Sequence, residues 1–281
     1  MQPLRALEIG VMFWAGCDPV ETVREVKSLG NVRCGQLAVP GDLSLDAATT
    51  AAWKRALAEE EFRVNTVFAA YTGESYADMA AVKNTVGFIP KATRAAREQR
   101  TYEVSDFAAA IGAPSIATHI GFVPEDESDP NYTEVRDLVR RVCDDAAEWN
   151  QTFALETGQE PAKVLLRFIQ DVDRPNLRIN FDPANLILYG TGDPIEALDV
   201  LGPLVLSVHA KDGNWPSKDT PGALGAEQPL GKGAVGIERF VAKLKQIGYQ
   251  GTLNVERETE DQEQRLKDIR NGIALLERVR G

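Results

Sequence analysis

Short apolar runs rich in β-branched residues recur along the chain, separated by longer stretches whose apolar positions have helical spacing. LEIGVMFW (7–14), VRCGQLAVP (32–40), FRVNTVFAAYTG (62–73) and PSIATHIGF (114–122) are the runs of the first half. QTFALETG (151–158), LRINFDPANL (177–186), LVLSVHAKDG (204–213) and GTLNVERE (251–258) are those of the second. Nearly continuous apolar character is what a strand buried on both faces of a parallel sheet requires. The intervening segments read as helices: PVETVREVKSLG (19–30) has Asp18 to cap it, Pro19 in its first turn and Gly30 to stop it. Further helices are expected over 45–61, 91–113, 132–150, 161–172, 193–202, 237–248 and 261–279. Eight strand–helix units in succession predict an α/β fold, a (β/α)8 TIM barrel forming a single domain over 1–281.

Two connections are longer than the pattern needs. Residues 74–90 read as an insertion at the barrel mouth, and 214–236, rich in Gly and Pro, as a loop before the seventh helix. Long loops on the C-terminal face of such barrels usually carry function.

Four successive strands of the second half end in chemistry-bearing side chains: Glu156, Asp182, His209 and Glu256. Glu156 and Asp182 are 26 residues apart and Asp182 and His209 are 27 apart, close to one strand-plus-helix unit of roughly 30 residues. The remaining gap of 47 is one unit plus a loop. In a barrel all strand ends converge on one mouth, so these four residues are expected to meet there. Three carboxylates and a neutral imidazole suit one divalent cation, Mn²⁺ by first preference, Mg²⁺ or Co²⁺ otherwise. Without a cation the carboxylates repel one another. A cation with open positions can chelate the adjacent carbonyl and hydroxyl oxygens of a ketose, which polarises the carbonyl and acidifies the C–H between them. Glu156 and Glu256, opposed across the mouth, can then take a proton from one face and return it on the other, which is epimerisation; transfer to the neighbouring carbon is isomerisation.

Charge and composition narrow the class. A formal net charge of −11 argues against a nucleic-acid partner bound through a broad basic surface. Cys17, Cys34 and Cys143 form no CxxC or zinc-type spacing and are expected to be small buried residues in a reducing compartment. Glu8 interrupts the apolar N-terminal run, which therefore reads as a strand rather than a signal peptide. No run approaches the ~20 apolar residues of a membrane helix, so no membrane partner and a cytoplasmic location are expected.

The segments LETG, NFDPANLILYG, VHAKDG, LGKG and LNVERE, in this order, resemble the xylose-isomerase-like sugar isomerase/epimerase superfamily of metal-dependent barrels, and the ketose 3-epimerases among them. The resemblance spans essentially the whole chain. It implies that Glu156, Asp182, His209 and Glu256 are the metal ligands, that Glu156 and Glu256 double as the acid/base pair, and that the substrate is a sugar or sugar derivative. Two positions depart from the 3-epimerase pattern. Asn185 stands where a histidine is common, and Lys211 lies in HAKDGNWP, where an arginine is common. Lys211, with Lys232 beside it, is then a candidate receptor for an anionic or differently oxidised sugar. The same barrel family contains β-eliminating enzymes acting on 3-keto-glycosides, so a lyase is the alternative reaction, and a non-catalytic carbohydrate-binding barrel the alternative of another class. The apurinic endonucleases of this family use several histidines around a multi-zinc cluster, whereas the chain has two histidines in all.

His119 at the tip of the fourth strand is a further candidate substrate contact, with a structural hydrogen-bonding role as the competing reading. Asn185 is a candidate contact or a loop cap. Trp14, Phe68 and Tyr71 can present an aromatic wall to the C–H face of a sugar or pack in the core. Arg257 follows Glu256 and is expected to face the other way, into packing or an ion pair. Outer helices of such barrels often pair, so a homo-oligomer is a further expectation.

Overall fold

The computed structural model describes residues 6–220 and 222–281; the first five residues and Pro221 lie outside the described part. Eight strands alternate with helices around a closed parallel barrel: β1 (Glu8–Trp14), β2 (Cys34–Val39), β3 (Arg63–Ala69), β4 (Ser115–Thr118), β5 (Thr152–Glu156), β6 (Leu177–Phe181), β7 (Val205–Ala210) and β10 (Thr252–Val255). The ring closes in the order β1-β10-β7-β6-β5-β4-β3-β2, the (β/α)8 topology that the pattern predicts. The outer helices are α1 (Pro19–Lys27), α2 (Ala47–Glu59), α4 (Lys91–Ile111), α5 (Pro130–Glu148), α6 (Ala162–Val172), α8 (Pro194–Leu201), α9 (Ile237–Gln246) and α10 (Gln262–Val279). Most of the apolar core lies between the strands and these helices, where burial of side chains such as Trp53, Phe107, Phe153, Phe168 and Phe240 supplies the main driving force. Among the described residues no helix is long and apolar enough to cross a membrane.

Alternation decides what points into the barrel. Ala38, Phe68, Ala117 and Ala154 form a separate inner cluster. Residues two positions away share that face, so each strand delivers alternate side chains to the interior and then to the mouth. Small alanines on three of these strands leave room above Phe68 for polar groups. Buried Gln36 and Asn180 occupy this interior and are hydrogen-bonded to each other, Gln36 Nε2 donating to Asn180 Oδ1 at 2.9 Å.

The structure corrects the sequence reading in four places. The run 177–186 is not one strand: β6 stops at Phe181, and α7 (Pro183–Leu188) begins at once. Asp182 caps that helix, its Oδ1 accepting from Ala184 N and Asn185 N, while Pro183 supplies a backbone angle already suited to the first turn. The insertion at 74–90 contains its own helix, α3 (Met79–Thr85), capped by Asp78. The loop 214–236 is pinned by a small sheet that starts just ahead of it: β8 (Asp212–Asn214) and β9 (Ala226–Gln228) pair antiparallel. Finally, Cys34 and Cys143 are buried but Cys17 is exposed, because it lies in the turn ahead of α1 rather than in a strand or helix face.

Candidate active site and metal centre

Glu156, Asp182, His209 and Glu256 meet at the C-terminal mouth, each offering one ligand atom, and these atoms all lie within 4.8 Å of one another. The first three are fully buried and Glu256 nearly so. His209 Nδ1 is 2.8 Å from Glu156 Oε1, 2.9 Å from Glu256 Oε2 and 3.8 Å from Asp182 Oδ2.

The far side of the His209 ring determines what that nitrogen offers. Its Nε2–H donates to Gln36 Oε1 at 2.6 Å. Gln36 cannot turn its amide without losing Asn180, whose Oδ1 also accepts from Ser207 Oγ at 2.6 Å. With the Nε2 proton committed, the Nδ1 lone pair faces three carboxylates, a tautomer suited to a cation ligand. Burial opposes charging of the ring, but the Glu256 and Glu156 carboxylates outweigh it and raise the His209 pKa well above its ordinary value. A proton or a metal ion must therefore sit among these groups.

The carboxylates are prepared in the same way. Asp182 spends Oδ1 on the α7 cap, leaving Oδ2 buried with no hydrogen-bond partner. Glu256 Oε2 is likewise buried and without one. Burial lifts the Asp182 pKa to about 6 against the opposing pull of His209 and Lys211. Glu156 is more tightly held. Its Oε2 accepts from His119 Nε2 at 2.8 Å, and Asn185 Nδ2 donates to Oε1 at 3.3 Å. Burial disfavours the Glu156 carboxylate, yet His119 and His209 together keep its pKa well below the usual range. Two orphaned carboxylate oxygens and an imidazole lone pair converging in this way fit a divalent cation.

The second tier is set by turns. Gly158, at φ +140°, ends LETG so close to α7 that an added Cβ would lie 2.2 Å from Asn185 Cβ, and this approach brings Asn185 to Glu156. Gln159, just beyond, donates from Nε2 to His119 Nδ1 at 3.1 Å, which leaves the His119 proton on Nε2, facing Glu156.

Lys211 shares the inward face with His209, two residues earlier. It is buried, and its ammonium donates to Glu258 Oε2 at 2.6 Å, with Glu256 Oε2 at 3.4 Å and Asp182 Oδ2 at 3.9 Å. The cation expected to receive an anionic substrate is thus already surrounded by carboxylates. Asp212 turns instead into the LGKG loop, where its two oxygens accept from the backbone of Gly213, Gly231, Gly233 and Val235. Lys232 in that loop is exposed and is not part of the cavity wall.

The cavity above the cluster has a volume of about 880 Å³ and includes Trp14, Phe68, Tyr71, His119, Asn185 and Lys211 in its lining. Arg257 also reaches it: it forms the expected ion pairs, with Glu227 and Asp268, but does not face away from the cavity as strand parity suggests, because β10 ends at Val255 and alternation lapses beyond it. Sequence reasoning missed Gln36, Gln159, Glu74, Tyr76 and Glu258. Gln36 left a signal, a single amide inside the apolar run CGQLAV. The others sit in loops, where no periodicity marks a side chain's direction.

Together these features define a parallel barrel whose C-terminal mouth holds a carboxylate–imidazole cluster suited to a metal ion. The chain belongs to the xylose isomerase-like TIM barrel family, whose model matches residues 23–279. It is similar to the xylose isomerase domain protein from Planctomyces limnophilus at 40% identity, covering 98% of each chain with a TM-score of 0.93. A xylose isomerase-like TIM barrel protein from Mycobacterium smegmatis, in complex with magnesium, is 19% identical, with 100% of this chain and 98% of that one covered and a TM-score of 0.74. The 3-keto-D-glucoside 4-epimerase of E. coli is 18% identical over 97% of this chain and 99% of that one, with a TM-score of 0.71. At 18–19% identity the likeness is one of fold. An uncharacterized protein of Methanocaldococcus jannaschii is 26% identical over 154 residues, and the chain spans about half the length of this curated relative.

Proposed function

We propose that the protein is a divalent-metal-dependent sugar epimerase or isomerase that moves a proton next to the carbonyl of a ketose or keto-sugar. The observation that carries this reading is the convergence of Glu156 and Glu256, both lining the cavity, on the buried His209 and Asp182. Glu156, Asp182, His209 and Glu256 would hold the cation, Mn²⁺ or Mg²⁺. Bound there, it would supply Lewis-acid polarisation of vicinal carbonyl and hydroxyl oxygens and so acidify the C–H between them.

The chain's own groups do the rest. Glu256 is the proton acceptor, because it lines the cavity and only Oε2 is drawn into the cluster, which leaves its other carboxylate oxygen for the substrate. Lys211 Nζ, 3.4 Å from Glu256 Oε2, offsets the negative charge of the pocket and orients the carboxylate. Glu156 must enter this cycle protonated; it gives its own proton to the opposite face while Glu256 keeps the one it took, and the pair re-equilibrates with solvent before the next turnover, His119 holding Glu156 through Oε2 and Asn185 through Oε1. Phe68 and the buried surroundings of the cluster exclude water, which strengthens every charge interaction there.

Proton NMR of a panel of ketoses, ketose phosphates and keto-glycosides in D₂O with metal-loaded protein tests the reading. Deuterium entering next to the carbonyl, together with a new sugar, is the expected result. Release of an aglycone would make the reaction a β-elimination, and binding without exchange would leave a carbohydrate-binding barrel. Glu256→Gln should reduce turnover by at least 10²-fold, within the usual span of general acid–base contributions, while the circular dichroism spectrum is retained. Full activity in that variant would refute the assigned base.

A further inference from the structure

The cavity is larger than one sugar ring. At about 880 Å³ it lies near the top of the roughly 300–1,000 Å³ range of pockets for drug-sized ligands, whereas the metal centre at its floor requires only the reacting ring. A continuous aromatic wall leads from floor to rim. His209 and Phe68 have ring centroids 5.8 Å apart, Phe68 and His119 are also 5.8 Å apart, and His119 and Tyr76 are 5.7 Å apart. Exposure rises along the same path: His209 is fully buried, Phe68 is 6% exposed and Tyr76 is 42% exposed.

Trp14, 49% exposed, belongs to the same lining. A single exposed aromatic ring is ordinary, whereas two in the wall of one cavity mark a place for an apolar partner. Four large apolar side chains are exposed among the described residues, and two of them, Trp14 and Tyr76, line this one cavity.

Tyr76 is held in place by a fastened loop. Glu74 accepts from Tyr71 N and Gly87 N, Thr85 Oγ1 accepts from Ser75 N at 2.9 Å, and Arg97 donates to Gly87 O at 2.6 Å. The backbone that carries the rim aromatic is therefore already fixed before any ligand arrives, which lowers the entropic cost of binding.

Charge specifies what the outer space accepts. Six glutamates line the cavity against Lys211, Arg257 and Arg265; Lys211 and Arg257 are already paired with carboxylates, and of the three only Arg265 has no such partner among the described residues. The excess of carboxylates favours a neutral outer unit over a phosphate or carboxylate.

We infer that the substrate is a neutral glycoside: the reacting sugar ring lies at the metal centre, and a second, flat-faced unit joined through the glycosidic bond stacks on Tyr76 and Trp14. This rests on the proposed sugar chemistry and adds the substrate class to it. The second unit is either another pyranose or an aryl aglycone, since both present an apolar face to an aromatic ring.

The test separates the two levels. Binding of unreactive phenyl, cellobiosyl-type and methyl β-glucosides is measured by calorimetry on wild type, Tyr76→Ala and Trp14→Ala. Deuterium exchange is measured in parallel on free keto-glucose, its phenyl glycoside and a keto-disaccharide. The phenyl or the disaccharide ligand should bind at least tenfold more tightly than the methyl glycoside, and which of them does so identifies the second unit. Tyr76→Ala should bring that advantage to within about twofold, and the ratio of kcat/KM for glycoside over free sugar should fall about tenfold. Equal binding of all three ligands to wild type, or an advantage that survives both substitutions, would overturn the outer subsite even if exchange occurs on the free sugar. A tyrosine-dependent binding advantage with no exchange on any sugar would uphold the subsite and overturn the proposed proton transfer.

Discussion

Gln36 and Gln159 each take one nitrogen of a histidine and thereby decide what the other nitrogen does. Gln36 accepts the His209 Nε2 proton and turns the Nδ1 lone pair toward the carboxylates. Gln159 donates to His119 Nδ1 and turns a proton toward Glu156. Such supporting hydrogen bonds typically carry 10–100-fold in metal affinity. Gln36→Leu should therefore weaken Mn²⁺ binding by about that factor in a calorimetric titration; unchanged affinity would show that the ring orients itself. Glu160 is a different kind of residue. It is buried, its Oε2 lacks a hydrogen bond, and burial, only weakly opposed by His119, pushes its pKa to about 8. A carboxyl raised above its unfolded value of about 4.3 stabilises the fold fully below that value, and this contribution is lost as pH rises through about 8. Glu160→Gln should thus match wild type in melting temperature near pH 4, below the unfolded value, and exceed it by several degrees at pH 9. A difference independent of pH would contradict the assignment.

Elements position the site through their ends more than through their length. β6 ends one residue before Asp182, so the same carboxylate caps α7 through one oxygen and leaves the other for the cluster. The loop between β3 and α4 works by close packing. Gly87 has φ +65°, and an added Cβ would lie 2.0 Å from the carbonyl carbon of Ile120. Gly87→Ala should combine backbone strain with that overlap, costing about 1–3 kcal/mol. The loop carrying Tyr76 should also become more accessible to limited proteolysis than in wild type. A variant with wild-type stability and cleavage pattern would mean that the loop is not fastened there.

At the scale of the molecule, the barrel gathers like charges that a cation would hold together. The mouth brings three carboxylates around one imidazole, an arrangement suited to a divalent ion in the folded state and without counterpart in the unfolded chain. At a free Mn²⁺ concentration one hundred times its Kd, linkage stabilises the fold by about 2.7 kcal/mol. For a chain of this size that corresponds to roughly 5–10 °C in melting temperature, reversed by a chelator. Absence of any shift with Mn²⁺, Mg²⁺ or Co²⁺ would remove the metal from the account.

The order of elements and the cluster itself were legible before folding. Apolar runs of strand length alternate with helical periodicity, and Glu156, Asp182, His209 and Glu256 each stand where such a run ends, about one unit apart. Local spacing carries this information because parallel strands of a barrel all end at one mouth. The division of 177–186 between β6 and α7 was also written locally, in the Asp-Pro pair, but apolar continuity masked it. Other features had no local signal. That Lys211 is engaged by Glu258, that Gln36 reaches His209 from the opposite side of the ring, and that Tyr76 completes an aromatic wall with Phe68 and His119 all depend on residues far apart in the chain. Periodicity states which side of an element a residue faces; only closure of the barrel and the packing of its loops decides which distant side chain it meets there.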